Sequence, residues 1–225
     1  MIILIMALFA IAAFLASMTI KKSGIRYAVT LVMFAGLILS VIMVIANMHD
    51  HYGMTSVTTT TKKEIHSAGP TTQNFGMLLY QQIGTDGKEN AYIYKTAAQD
   101  KKTTVAKPDL NMTTSHVNVS GNKAYKVTKT TRFVYKSNGF KLLFGVANND
   151  GEIKHRQVIY QVPPTWVALT TEQAKSLASK LAPKSAAERT IAAQQQRQLS
   201  DLAKSNPDQA ARLTVNQVKK VLQID

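Results

Sequence analysis

The stretch that decides the fold is MIILIMALFAIAAFLASMTI (Met1–Ile20), then KKSGIR (Lys21–Arg26), then YAVTLVMFAGLILSVIMVIANM (Tyr27–Met48). Neither apolar run contains a charged side chain. A helix of about 20 residues crosses a hydrocarbon layer ~30 Å thick, so each run is long enough to span. The segment between them carries Lys21, Lys22 and Arg26 and no acid. Short loops rich in Lys and Arg stay on the cytoplasmic side. Beyond the second run the next Lys is Lys62. The expected topology is therefore a hairpin with its bend inside and both flanks outside. Tyr27 and Tyr52 bracket the second run, at the depth where interfacial aromatics gather.

A cleaved signal peptide carries its basic residues ahead of its apolar stretch. Here the apolar stretch starts at residue 1 and the cations come after it, which favours a retained hairpin. Ala12/Ala16, Ala13/Ser17 and Gly36/Ser40 have spacings that permit close helix approach. Small residues are frequent in any membrane helix, and that plainer reading is preferred.

The chain has 225 residues, so the portion beyond the hairpin suffices for one domain plus an extension. It contains no Cys, which excludes disulfides, thiolate metal sites and a Cys nucleophile. The surface of a Gram-positive cell suits a disulfide-free exported domain better than an animal ectodomain does. The net charge is +14, and the bend supplies +3 of it, leaving +11 elsewhere. Such a surface attracts anions. Outside a membrane these would be anionic lipid headgroups or a phosphate-rich wall polymer. Nucleic acid is not expected there. Plain solubility is the alternative explanation of the charge.

The exported part alternates between β signals and turns. Thr55–Thr61 is β-prone and leads to Ile65. Phe75–Ile83 reads as a strand with Met77/Leu79 on one face and Leu78/Tyr80 on the other. Gly84–Lys88 contains Asp-Gly, a tight-turn signal, and Ala91–Lys95 is the partner strand. Asp100–Lys107 reads as a loop or weak edge strand, and Asn111–Val119 as another strand. Lys123–Lys136 is a long strand rich in Thr, Val, Tyr and Phe. Phe140, Leu142, Phe144 and Val146 alternate, which predicts a strand with one apolar face. Asn148–Gly151 then predicts a hairpin into a return strand, Glu152–Val162.

After Pro164 the pattern turns helical. Thr170/Gln173, Ser185/Glu188 and Thr214/Gln217 have capping-box spacing. Ala174, Leu177, Ala178 and Leu181 form a helix face able to cover the sheet. Asn206-Pro207-Asp208 interrupts the helical tail. Trp166 is expected to be a packing anchor at the sheet-to-helix junction.

Several of these stretches carry a likeness. They are Val57–Lys63, Leu79–Gln81, Ile83–Asn90 with Tyr92–Lys95, Phe140–Gly145 with Asn149–Gly151, and Thr165–Val167. The chain resembles an uncharacterised family of two-span membrane proteins from lactic-acid-type Gram-positive bacteria, whose shared region is a domain of unknown function. The likeness covers the apolar runs and most of residues 55–182; the tail after Pro183 is less typical. It implies location and architecture and carries no activity.

Catalytic signatures are weak. His49-Asp50-His51 is the one local cluster of metal-ligating types, but it abuts the membrane and lacks a nearby third ligand. His66, His116 and His155 are scattered singly. Ser120-Gly121-Asn122-Lys123 matches Ser-x-x-Lys without its partner motifs, and a turn explains it better. Asp86/Glu89 and Asp150/Glu152 could pair as carboxylates, yet both lie in turns that favour acids. The candidate ligand-binding residues are Lys126, Lys129, Arg132, Lys136 and Lys141, interleaved with Tyr125, Phe133 and Tyr135. Cations plus aromatics suit a phosphate- or sugar-bearing polymer. An ordinary solvated sheet face is the competing reading.

The expected fold is membrane-anchored α+β. Transmembrane helices at 1–20 and 27–48 flank a cytoplasmic loop at 21–26. An antiparallel β-rich extracellular domain with a closing helix occupies 55–182, and a loosely packed helical extension occupies 184–225. No cofactor is expected. The expected partners are the lipid bilayer, an anionic wall polymer or anionic headgroups, and possible docking to another membrane protein. The functional expectation is a non-enzymatic envelope binding or scaffold protein. An envelope or lipid-modifying enzyme built around His49, Asp50 and His51, or a small regulatory subunit of a membrane complex, are the alternatives.

Overall fold

A computed structural model of the protein describes residues 1–70, 73–83, 89–182 and 186–224. The expected turn at Gly84–Lys88 and the Ser185/Glu188 capping box lie outside the described residues. The chain forms two compact units, Met1–Thr59 with Thr130–His155, and Thr60–Lys129 with Arg156–Asp225.

The first unit begins with two apolar helices, α1 (Ile2–Thr19) and α2 (Ser23–Asp50), which pack on each other. Their mean hydropathies reach 2.6 and 2.8. Only 17% and 6% of the residues in their most apolar windows are buried. A core helix of a water-soluble domain would hide most of that surface. Ala13, Ala16 and Ser40 are among the few buried positions, so small residues do mark where the helices close. Both helices are thus long and apolar enough to cross a membrane.

Strand β1 (Met54–Ile65) comes next and contains the β-prone threonines. The remaining strands are β2 (Gly76–Ile83), β3 (Glu89–Tyr94), β4 (Thr104–Ala106), β5 (Met112–Asn118), β6 (Ala124–Tyr135), β7 (Ile153–Val162) and β8 (Trp166–Thr170). Among the described residues they form two four-stranded sheets, ordered β1-β6-β7-β5 and β4-β3-β2-β8. The unit boundaries fall within β1, β6 and β7.

The expected antiparallel pairing of β2 with β3 is present, and β4 is the short edge strand beyond it. The sheets are nevertheless mixed: β2 runs parallel to β8, and β5 parallel to β7. This corrects the purely antiparallel expectation. The reason is β8. Trp166-Val167-Ala168-Leu169 shows no alternation and lies beyond Pro164, where a helical pattern is expected, yet it is a strand. An unbroken apolar run is the pattern of a strand covered on both faces. Its register places Trp166 beside Gly76, and a Cβ on Gly76 would overlap the indole ring. Glycine therefore admits the packing anchor at that point.

In the second unit the alternation of β2 works as expected. Leu78 and Tyr80 join Ile65, Tyr92, Tyr94, Val158, Tyr160 and Val162 in one core. Met77 and Leu79 face the other way, onto Val167, Leu169, Leu177, Val215, Val218 and Leu222. The last three belong to α6 (Pro207–Leu222). The tail is therefore not a loosely packed extension throughout: its final helix completes this second cluster. Helices α4 (Thr171–Leu181) and α5 (Ala186–Ser205) precede it.

Thr170 and Gln173 make the expected reciprocal capping box at α4. The third box is corrected. Thr214 lies inside α6 and donates to the Ala210 carbonyl, whereas Asn206 caps the helix ahead of Pro207. Proline at the first helical position fits because its missing N–H would have had no helical partner.

The stretch Phe140–Val146 is corrected as well. It is helix α3 (Asn138–Phe144) followed by a 3₁₀ turn at Gly145–Ala147, not a strand. Ser137 accepts a hydrogen bond from the Phe140 N–H at the helix start. Phe140 and Phe144 satisfy a period of four as well as a period of two, and short apolar runs do not separate the two readings. Asn148–Gly151 consequently leads from this helical segment into β7 instead of closing a two-strand hairpin.

Candidate functional site

Within the second unit, β1, β3 and β6 supply the walls of a cleft of about 360 Å³. Thr61, Lys63, Glu64, Tyr94, Lys126 and Thr128 line it. Alternation puts Thr61 with Lys63, and Lys126 with Thr128, on shared strand faces, whereas Glu64 belongs to the opposite face of β1 and meets the cleft at its edge. Lys126 Nζ donates to the Tyr94 hydroxyl at 3.1 Å and sits 5.6 Å from the ring centroid. A buried phenol thus holds the ammonium group at the wall of the cleft. Glu64 is engaged by Lys123 at 3.0 Å, and that carboxylate raises the Lys123 pKa. Lys63 supplies a second cation, and the threonine hydroxyls supply donors. The arrangement is chemically suited to a phosphate or carboxylate group.

Behind the cleft lies a tyrosine core. Tyr92 and Tyr160 stack at 4.2 Å between centroids, and Tyr94 tilts against Tyr160 at 5.6 Å. Burial pushes the Tyr92 phenol up to about 12 and raises that of Tyr160 as well, so both stay protonated donors. The Tyr92 hydroxyl meets His116 Nδ1 at 3.0 Å. His116 keeps one edge exposed, but Tyr80 and Tyr92 cover the other, and that desolvation lowers its pKa.

The five cations expected to bind ligand divide between the units. Lys126 and Lys129 belong to the second, and Lys129 is exposed. Arg132, Lys136 and Lys141 belong to the first. Arg132 donates to the Gly151 carbonyl at 2.7 Å, and Lys141 pairs with Asp150 at 2.8 Å. That ion pair lowers the Asp150 pKa and raises the Lys141 pKa. Lys136 is exposed at the end of β6.

His49 and His51 do not converge. His49 Nδ1 meets Asp50 at 2.9 Å in the open, whereas His51 stacks on Phe133 at 3.6 Å and approaches Glu152 at 3.3 Å. Among the described residues no three His, Asp or Glu side chains gather as a metal set. Asp150 and Glu152 likewise turn to different partners, Lys141 and His51. Asp86 lies outside the described residues.

The first unit contains a polar junction that the sequence did not announce. Asn47, fully buried near the end of α2, donates to the Tyr52 carbonyl at 2.7 Å. Asn149 Nδ2 donates to the Asn47 side-chain oxygen at 3.2 Å, and Tyr135 donates to Asn149 Oδ1 at 2.6 Å. The one available signal was an amide at the close of an otherwise apolar run.

A family model described as Domain of unknown function (DUF4811) matches residues 22–177, well over half of the chain. The chain belongs to the DUF4811 family. The resemblance seen in the sequence to an uncharacterised domain is thereby shown. The DUF4811 match runs from the basic bend through α2 and both sheets into α4, so it contains the cleft and the polar junction. It leaves α1, α5 and α6 outside. No curated protein and no solved structure matches the chain.

Proposed function

We propose that this protein is a non-enzymatic cell-envelope binding or scaffold protein, held in the membrane by α1 and α2. The observation that carries the reading is the exposure of two long apolar helices in a chain with a +11 surplus beyond their connecting bend. Apolar surface on that scale needs lipid to cover it. The bend stays inside and the β-rich part is exported, by the rule that keeps Lys and Arg cytoplasmic. The exported surface binds an anionic wall polymer or anionic headgroups, and the cleft of Lys63 and Lys126 takes one phosphate or carboxylate of that polymer. Lys129, Arg132 and Lys136 add attraction at longer range, whereas Lys141 is held by Asp150.

The full-length protein in nanodiscs of neutral lipid should bind poly(glycerol phosphate) at low salt, and binding should weaken as salt rises. Lys63→Ala with Lys126→Ala should reduce the affinity. No binding at low ionic strength would end the polymer reading.

A further inference from the structure

Helix α3 is apolar on two sides. Its inner side carries Phe140 and Phe144. Phe144 is buried, and Tyr52 sets its ring edge-on to both, at 5.9 and 6.4 Å. Gly53, with φ of +79°, leaves the space that the Phe140 ring fills. The outer side carries Leu142, and Val146 stands in the 3₁₀ turn that follows. These are 61% and 55% exposed, and Tyr52 is itself 47% exposed. A short connecting helix in water would ordinarily turn a polar face outward.

Its position explains the exception. The Met1 nitrogen, at the start of α1, donates to the carbonyls of Leu142 at 2.9 Å and Leu143 at 3.3 Å. The end of α2 reaches the same segment: Tyr52 packs on Phe140, and Asn47 accepts from Asn149 just beyond the 3₁₀ turn. The outer ends of both apolar helices are thus fastened to α3 and the turn after it. Where those helices leave the hydrocarbon, α3 must lie at the headgroup level. Like its uncovered leucine and the valine after it, Ile3 and Leu4 near the start of α1 and Met48 near the end of α2 are exposed. Lys136 stands two residues ahead of it, exposed, and Lys141 lies within it, paired with Asp150, so the cation free to meet an anionic bilayer surface here is Lys136.

We infer that α3 is a third membrane contact, an interfacial wedge that lies in the outer headgroup region and inserts Leu142 and Val146 among the acyl chains. The inference rests on the anchoring role proposed for α1 and α2. It adds that the bilayer, rather than a protein partner, covers the outer face of α3.

Because the chain has no Cys, single cysteines report cleanly. Leu142→Cys, Val146→Cys and Ile38→Cys, the last at an exposed position of α2, would each carry an environment-sensitive fluorophore in full-length protein reconstituted into vesicles. Quenchers would be aqueous iodide and lipid nitroxides placed shallow or deep. The expected result is deep quenching at Ile38. Leu142 and Val146 should show shallow quenching, with iodide access at least about threefold below that of free dye. Leu142 and Val146 labels as open to iodide as free dye, with Ile38 still quenched by lipid, would overturn the wedge and leave the anchor standing. Labels reached by neither quencher would also overturn it, since protein would then cover the face. An Ile38 label open to iodide would remove the anchor and the wedge together.

Discussion

Asn47 shows what one side chain does at the close of an apolar helix. Its amide serves Tyr52 on one side and Asn149 on the other, and it is wholly buried. Removing it takes away the donor to the Tyr52 carbonyl and one of the two Asn47 acceptors of the Asn149 amide, both in part-buried bonds, and each such bond is worth about 1 kcal/mol. Asn47→Ala should therefore lower the thermal midpoint of the full-length protein in detergent. An unchanged midpoint would show that the junction contributes nothing. His116 makes a prediction of opposite kind. Its folded pKa lies below the usual histidine value because its neighbours desolvate it. On acidification the unfolded chain takes up this proton first, near pH 6.5. The stability contribution is therefore full above that pH and is lost as the pH falls toward the folded value. Compared at pH 8 and pH 5, His116→Gln should lose less stability than the parent. Equal losses would assign the acid sensitivity elsewhere. His116 was legible only as one of several scattered histidines, because its Tyr80 and Tyr92 neighbours come from strands distant in sequence.

At the scale of elements, local rules worked where local chemistry decides the outcome. The Thr170/Gln173 box closes within four residues and needs nothing from elsewhere. Thr170→Ala should cost about 1 kcal/mol, as other cap losses do. Thr214→Ala should cost close to nothing, since Thr214 sits inside α6 and alanine is the better helix former. Chemical denaturation of the two variants checks this contrast; equal losses would contradict the assignment of Asn206 as the α6 cap. Local rules failed at α3 and β8. Phe140–Val146 alternates like a strand, but its aromatic residues find Tyr52 only when the backbone coils. Trp166–Leu169 lacks alternation because both of its faces are covered, one by the tyrosine core and one by the helices. Neither fact is visible in a window of six residues. The cleft was half legible: Lys126 was among the expected ligand residues, whereas Lys63 joins it through the pairing of β1 with β6, and Tyr94 comes from a strand of the other sheet.

For the whole molecule, the testable statement is topology. Lys129→Cys should react with an impermeant thiol reagent on intact cells, and Gly24→Cys, in the bend, only after lysis. The reverse pattern would place the basic part inside the cell and require an intracellular anion for its surplus charge.

The order of the chain by itself determined the two apolar helices, their basic bend, the β-rich middle and the helical close. Each of these is written in contiguous residues as charge, hydropathy or period. Only the tertiary structure decided that β2 and β5 take parallel neighbours, that α6 belongs to a core, that α3 coils, and that Asn47 meets Asn149. Those outcomes depend on pairs of residues far apart in sequence. Their free energy exists only after the chain has closed the loops between them.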